Sequence, residues 1–103
     1  MSGINRNLLS QQYQSECELF ERLHPRSAEL ARGARQNLVS GVPMPWMTRL
    51  PGGFPLFLEE ARGGHFTDVD GREYVDFCLG DTGAMTGHAL PQVAEAIHHR
   101  ALN

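Results

Sequence analysis

The chain of 103 residues contains no lysine, because all nine of its basic residues are arginines. A lysine amine is the side chain that commonly condenses with a carbonyl group to form a Schiff base. The only primary amine left in this chain is the N-terminal one. Covalent catalysis through a lysine Schiff base is therefore excluded for this chain acting alone.

Clustered basic residues and long apolar runs are also missing. The net charge is -3, and the arginines are spread along the chain, so nothing favours binding to nucleic acid or to an anionic membrane. No apolar run is long enough to cross a bilayer, and the N-terminus lacks a basic stretch followed by an apolar one. We expect no nucleic-acid partner, no membrane partner and a cytoplasmic location.

Residues that could hold a metal ion are few and poorly spaced. Cys17 and Cys78 lie far apart in the sequence, and we expect two reduced, buried thiols rather than a disulfide or a metal pair. Residues 68–71 read DVDG and begin like a calcium loop, but such a loop needs its glycine sixth and a glutamate twelfth. His98 and His99 are neighbours on a predicted helix, so their side chains diverge. No metal site is predicted.

Apolar spacing predicts a helical arm over residues 1–39. Apolar residues recur every three or four positions from Asn7 to Leu23, which is typical of an amphipathic helix, and Pro25 stops it. Ser27 is expected to cap a second helix that runs to Leu38. Two such small helices enclose little core between them. Their apolar faces are expected to pack on a larger body or on a second subunit.

Residues 40–55 are predicted to form a rigid loop. Four prolines and two adjacent glycines in this stretch exclude both a helix and a central strand. The loop nevertheless carries Met44, Trp46, Met47 and Leu50. These side chains either cover a core or line a pocket, and in a pocket Trp46 supplies a flat wall while Arg49 binds a carboxylate.

Three short antiparallel strands are predicted over residues 56–79. The first begins at Leu56–Leu58, and the second contains Phe66 and Val69. Asp70 and Gly71 predict a hairpin with a type I′ turn, since that turn needs positive φ at both central positions. The third strand extends from Tyr74 to Phe77.

Residues 80–103 are predicted to form a glycine-containing loop and then a helix that begins near Pro91. The three glycines of the loop fit neither phosphate-binding pattern, Walker A or GxGxxG. His88 is expected to hold the loop by bonding to local backbone, with a catalytic role as the alternative. Because the helix meets no stop signal, we expect the chain to end within or just after an element of a longer protein.

An ordered series of motifs resembles the N-terminal part of the class III aminotransferases, especially the branch that contains glutamate semialdehyde aminomutase. The series comprises the DVDG hairpin at Asp68–Gly71, the strand end Tyr74-Val75-Asp76, and the GHxxPxV pattern from Gly87 to Val93. Earlier proline and glycine positions also fit. The resemblance covers about Ser27 to Ile97.

The resemblance implies a fold type I enzyme that uses pyridoxal 5′-phosphate, built as a homodimer and acting on a small-molecule amino donor and a keto acceptor. In that family the Schiff-base lysine and the main cofactor anchors lie C-terminal to the matched segment. No catalytic or cofactor-binding residue is therefore carried over to this chain. The implied fold is an α+β fragment: helices, a three-stranded antiparallel meander, and a helix leading into a large α/β domain. Such a segment supplies dimer contacts and a wall of the substrate pocket, and is inactive by itself.

Two departures from the aminomutase pattern point to substrate preference. Where the aminomutase has a carboxylate-binding arginine, two residues after the loop proline, this chain has Met47, and Arg49 is the candidate replacement. Where the aminomutase loop has an aromatic residue, this chain has Asp81. Trp46, Arg49 and Asp81 are thus the candidate substrate-binding residues, and transfer between two molecules is preferred over aminomutase chemistry. The alternatives are an aminomutase, a non-catalytic interaction module derived from this segment, and an unrelated binding domain.

Overall fold

The computed structural model describes residues 3–49 and 51–102. The chain divides into two compact units, with the boundary between Phe57 and Leu58. The described residues form three α-helices, two short 3₁₀ helices and a three-stranded antiparallel sheet. This content confirms the predicted α+β class, with helices in the first unit and the sheet and a helix in the second.

Helix α1 comprises Arg6–Leu23 and confirms the first predicted helix. Asn5 caps it, because its side-chain oxygen accepts a hydrogen bond from the backbone N–H of Leu8 at 3.1 Å. The apolar face remains open, with Leu9 59% and Tyr13 64% exposed. That this face packs on another body stays a prediction.

Helix α2 comprises Pro25–Ala34, so both of its predicted ends were wrong. Proline is favoured at the first helical position for two reasons. The N–H that it lacks would have no hydrogen-bond partner within the helix at that position, and its ring already fixes φ near the helical value. Ser27 lies inside the helix rather than at its cap and is fully buried. Its Oγ accepts a 3.5 Å hydrogen bond from the N–H of Phe57, so the hydroxyl joins α2 to a segment thirty residues further along the chain.

The interior of the first unit is built from small side chains and one aromatic cluster. Its buried apolar residues are Ala28, Ala31 and Val42. His24 is buried at the junction of α1 and α2, where its Nδ1 lies 2.7 Å from the carbonyl oxygen of Phe20 and must donate to it. The Phe20 ring lies 4.4 Å from the His24 ring and 4.9 Å from the Phe54 ring. This cluster ties the end of α1 to the segment that precedes the sheet.

The sheet of the second unit has the order β1-β2-β3, with β1 at Leu58–Arg62, β2 at His65–Asp68 and β3 at Glu73–Val75. The predicted meander is confirmed, although β1 begins two residues later and β3 ends two residues earlier than expected. On one face, the rings of Phe66 and Tyr74 stack across β2 and β3 at 4.9 Å.

The turn between β2 and β3 is not the predicted type I′ turn. Asp68 and Arg72 close it through the Asp68 N–H and the Arg72 carbonyl at 2.9 Å, so the loop has three residues. Of these, only Gly71 has a positive φ, at 79°. This is a three-residue hairpin loop with glycine in the left-handed position. The three-residue loop is favoured over the two-residue turn because Oδ1 of Asp68 accepts hydrogen bonds from the N–H groups of both Asp70 and Arg72 at 2.9 Å.

Helix α3 comprises Pro91–Ala101 and confirms the predicted start at Pro91. Val93 and Ile97 on this helix are 50% and 64% exposed. Among residues 3–49 and 51–102, no helix combines the length and the apolar character that a membrane span requires.

Candidate functional site

The candidate residues Trp46 and Arg49 lie on a short 3₁₀ helix, Pro45–Arg49, inside the loop that the prolines were expected to keep irregular. That expectation was wrong because Pro45 stands first in the turn, where a missing N–H costs nothing. The turn is closed by the N–H of Met47 on the carbonyl of Met44 at 3.0 Å. The hydroxyl of Thr48 also donates to the carbonyl of Pro45 at 2.7 Å.

The side chains of this turn separate into an inner and an outer set. Met47 is half-buried and helps line a cavity of about 110 Å³ together with Phe54 and Pro55. Trp46 is 45% exposed, and Arg49 is also exposed. In this loop Met47 is therefore the residue that covers the interior, whereas the indole of Trp46 and the guanidinium of Arg49 are exposed. Leu50, also predicted to be part of this apolar set, lies outside the described residues.

A larger apolar groove of about 390 Å³ runs along α1 in the same unit. Its walls include Tyr13, Cys17 and Phe20 from the helix, and Gly52 from the loop. A hydrogen bond between the Tyr13 hydroxyl and the Cys17 thiol raises the pKa of Tyr13. The groove is lined by other residues than Trp46 and Arg49, and its walls are mainly apolar.

Asp81 belongs to the second unit, where it lies in the loop between β3 and α3. Its backbone has a φ of 54°, and its N–H donates to the carbonyl of Cys78 at 3.1 Å. Its side chain is exposed. The structure thus places Trp46 and Arg49 on one turn and Asp81 on a loop of the other unit. Their joint role in substrate binding stays a prediction.

The prediction that both thiols are buried was wrong. Cys17 and Cys78 are both free, but Cys17 is half-buried and Cys78 is exposed. Cys78 is exposed because it stands in the irregular loop after β3 rather than in a strand. Within the described residues, no three His, Cys, Asp or Glu side chains are arranged to bind a metal ion.

Asp76 and His88 form a contact that sequence reasoning missed. His88 Nε2 lies 2.6 Å from Oδ2 of Asp76, while Oδ1 of Asp76 accepts the N–H groups of Cys78 and Leu79 at 2.9 and 2.8 Å. The bond from His88, aided by these two N–H groups, lowers the pKa of Asp76 below its usual value. The ring of His88 therefore bonds to a carboxylate rather than to local backbone. Both residues stand in the motifs quoted above, but nothing in their spacing showed that they meet.

Asp68 organises the DVDG hairpin from inside. It is 1% exposed, and its Oδ2 accepts a hydrogen bond from the Tyr74 hydroxyl at 2.9 Å. Burial and this bond raise the pKa of Tyr74 to about 12. Since both carboxylate oxygens of Asp68 are engaged within the hairpin, the motif serves the scaffold rather than a calcium ion.

The fold and these motifs can be compared with solved structures. A glutamate-1-semialdehyde aminomutase from Pseudomonas aeruginosa PAO1 is 45% identical to this chain, matches 97% of it and superimposes with a TM-score of 0.87. The class III motifs lie within that match. In both sequence and fold, the chain is similar to the N-terminal segment of a class III aminotransferase. It spans 22% of the length of that aminomutase.

Two further solved structures are similar to this chain in fold. An omega-transaminase from Sphaerobacter thermophilus is 29% identical over 74% of this chain and 17% of its own, with a TM-score of 0.66. A beta-phenylalanine aminotransferase from Variovorax paradoxus is 21% identical over 87% of this chain and 20% of its own, with a TM-score of 0.80, and shows the shared fold. No family model matches the chain.

The cofactor of this aminotransferase family does not fit the residues present here. A lysine-to-alanine variant of the Pseudomonas aminomutase was solved in complex with PMP, whereas this chain has no lysine to join such a cofactor. The N–H groups of Asp81, Gly83, Ala84 and Gly87 already donate to carbonyls within their own loop. They are therefore not available as a phosphate cradle.

Proposed function

We propose that this chain is the substrate-side segment of a pyridoxal-phosphate aminotransferase that moves an amino group from an amino acid or amine to a keto acid. The match to a solved class III structure over 97% of the chain carries the proposal. The cofactor, held by residues outside this chain, would supply an electron sink for bonds at the amino-bearing carbon. In this proposal the lysine and the cofactor anchors belong to the rest of the protein.

The chain's own residues bind and orient the substrate. Arg49 offers its guanidinium at the end of a closed 3₁₀ turn, where it can bind a carboxylate through two parallel hydrogen bonds. Trp46, one helical turn before it, provides a flat apolar wall. Asp81 places a carboxylate where the aminomutase pattern has an aromatic ring, which favours a donor with a second polar or cationic group.

The exposed apolar faces of α1 and α3 are evidence for the proposal that this segment contacts a second copy of the protein. Leu9 and Tyr13 on α1 and Val93 and Ile97 on α3 would cost free energy if they stayed in water. We accordingly propose a homodimer in the cytoplasm, in which this segment contributes both contacts and part of the pocket wall.

Aminomutase chemistry is the second candidate, favoured by the 45% identity to the Pseudomonas enzyme. Asp81 argues against it. The full-length protein should show the absorbance of covalently bound pyridoxal phosphate and should transfer an amino group between two molecules in a panel of donors and keto acids. Isomerisation of glutamate-1-semialdehyde without a keto acceptor would favour the second candidate. A full-length protein without a cofactor band would contradict both.

Replacing Arg49 with alanine tests the carboxylate site. A charge-assisted hydrogen bond contributes about 1.5–3 kcal/mol, so Arg49→Ala should raise KM for carboxylate substrates about tenfold or more. Simple amine donors should be affected much less. Arg32→Ala, which removes an exposed arginine of α2, is the control. An unchanged KM for carboxylate substrates would show that Arg49 does not bind the substrate carboxylate.

A further inference from the structure

The loop between β3 and α3 is held in an unfavourable backbone conformation. Leu79, Asp81 and Thr82 have φ values of 50°, 54° and 75°. Each such residue costs about 1–3 kcal/mol, and positive φ is especially rare for a β-branched residue such as threonine. A conformation of this kind persists only where surrounding contacts hold it.

One set of contacts joins the two ends of the loop through side chains. The Asp76–His88 bond measures 2.6 Å, and since a carboxylate can only accept, the Nε2–H of His88 is the donor. The side chains of His88 and Asp76 are only 18% and 10% exposed, which shields this bond from water. A shielded hydrogen bond to a carboxylate is stronger than a neutral, solvated one.

A second set of contacts ties the same ends to the turn between β1 and β2. Gly63 and His88 exchange two backbone hydrogen bonds at 2.9 and 2.8 Å, and the N–H of Asp76 donates to the carbonyl of Gly64 at 2.8 Å. The backbones approach so closely that a Cβ on Gly87 would lie 3.2 Å from the Cα of Gly63. The stem of the loop is therefore fixed against the sheet.

A short path of bonds connects this stem to Asp81. Asp76 accepts the N–H of Cys78, and the carbonyl of Cys78 in turn accepts the N–H of Asp81. Without the His88 bond, the N–H groups of Cys78 and Leu79 would have to hold the Asp76 carboxylate unaided. The first turn of the loop would then be held less firmly in its strained conformation.

We propose that Asp76 and His88 are positioning residues that form a clasp, which fixes the loop from Phe77 to Gly87 and so sets the position of Asp81 toward the amino donor. The part that concerns the donor rests on the proposed function. The clasp itself does not, because it follows from contacts within the second unit. Neither residue needs to touch substrate to act in this way.

The clasp is tested by hydrogen exchange on the full-length protein. His88→Phe keeps the ring volume and the backbone pairing with Gly63 but removes the donor, and should speed amide exchange in residues 78–86 about tenfold. His88→Gln keeps an N–H near the position of Nε2 and should restore most of the protection. His65→Phe, at an exposed histidine of β2, is the matched control. Unchanged exchange in His88→Phe, or equal acceleration in the Gln variant, would overturn the clasp.

Kinetics test whether the clasp acts through Asp81. With the absorbance of bound cofactor unchanged, His88→Phe should raise KM for the amino donor several-fold, and should raise it no further in an Asp81→Ala background. A full additional rise in that background would overturn the link to Asp81. A protein without amino-transfer activity whose loop exchange still responds to His88→Phe would refute the proposed function while supporting the clasp.

Discussion

At the scale of single residues, Asp68 is the side chain on which the hairpin most depends. It is 1% exposed, yet its carboxylate satisfies two backbone N–H groups and the Tyr74 hydroxyl. A buried carboxylate is stable when donors surround it in this way. The sequence marks this position only as part of a DVDG motif, whereas the structure shows which atoms it bonds.

Replacing Asp68 with alanine should destabilise the protein strongly. Each donor left without a partner costs about 1–3 kcal/mol, and three donors lose theirs. Glu73→Ala, an exposed carboxylate two residues after the turn, should change stability little. The midpoints of thermal unfolding of the two variants test this prediction. Similar midpoints would mean that the buried carboxylate of Asp68 contributes no more to stability than the exposed carboxylate of Glu73.

Tyr74 should titrate late and link stability to alkaline pH. Its folded-state pKa of about 12 lies above the ordinary 10.0, so the neutral hydroxyl is the form that folding favours. The resulting stability is fully present below pH 10 and is lost as pH rises from 10 to 12. Tyrosinate absorbance of the native protein minus that of Tyr74→Phe should show this late titration. A difference curve centred at the ordinary value would contradict it.

At the scale of elements, the β2–β3 hairpin shows how local rules compete. The Asp-Gly pair favours a two-residue type I′ turn, but the carboxylate of Asp68 bonds the backbone N–H groups of Asp70 and Arg72 and stabilises a three-residue loop. Likewise Pro25, which was expected only to stop α1, also begins α2, whose predicted cap was Ser27. In both cases the elements were predicted correctly and their boundaries were not.

Gly71 and Gly64 offer a matched test of this turn. A Cβ at either position would meet open space, but Gly71 has a φ of +79° whereas Gly64 does not have a positive φ. Gly71→Ala should therefore lower the free energy of unfolding by about 1 kcal/mol through backbone strain alone, and Gly64→Ala should not. Chemical denaturation of both variants measures the difference. Equal effects on the free energy of unfolding would argue against a left-handed backbone conformation at Gly71.

At the scale of the whole molecule, few apolar side chains are buried among residues 3–49 and 51–102. The buried apolar side chains of the described residues are Ala28, Ala31, Val42 and Val69. Large apolar side chains such as Leu9, Phe77 and Ile97 remain 59%, 95% and 64% exposed. The chain spans 22% of the length of the aminomutase that it matches. The exposed side chains support the proposal that it packs on other parts of a larger protein.

The isolated chain should therefore unfold with little cooperativity. Because so little apolar surface is buried, the free energy that hydrophobic burial supplies falls well short of that in an independent domain. Calorimetry of the 103-residue chain should show a broad, weak transition. A sharp unfolding peak would mean that the chain is a stable domain by itself, and would favour the interaction-module alternative.

The sequence alone determined what depends on neighbours along the chain: the helical periodicity of α1, the existence of three strands, and the helix that starts at Pro91. It also determined the lack of a lysine and the motif series that indicated the family. The tertiary structure alone decided which distant groups meet, such as Ser27 with Phe57, thirty residues apart, and Asp76 with His88, twelve apart. Local patterns report backbone preference and amphipathicity, whereas a polar side chain's partner depends on how separate segments fold back on one another.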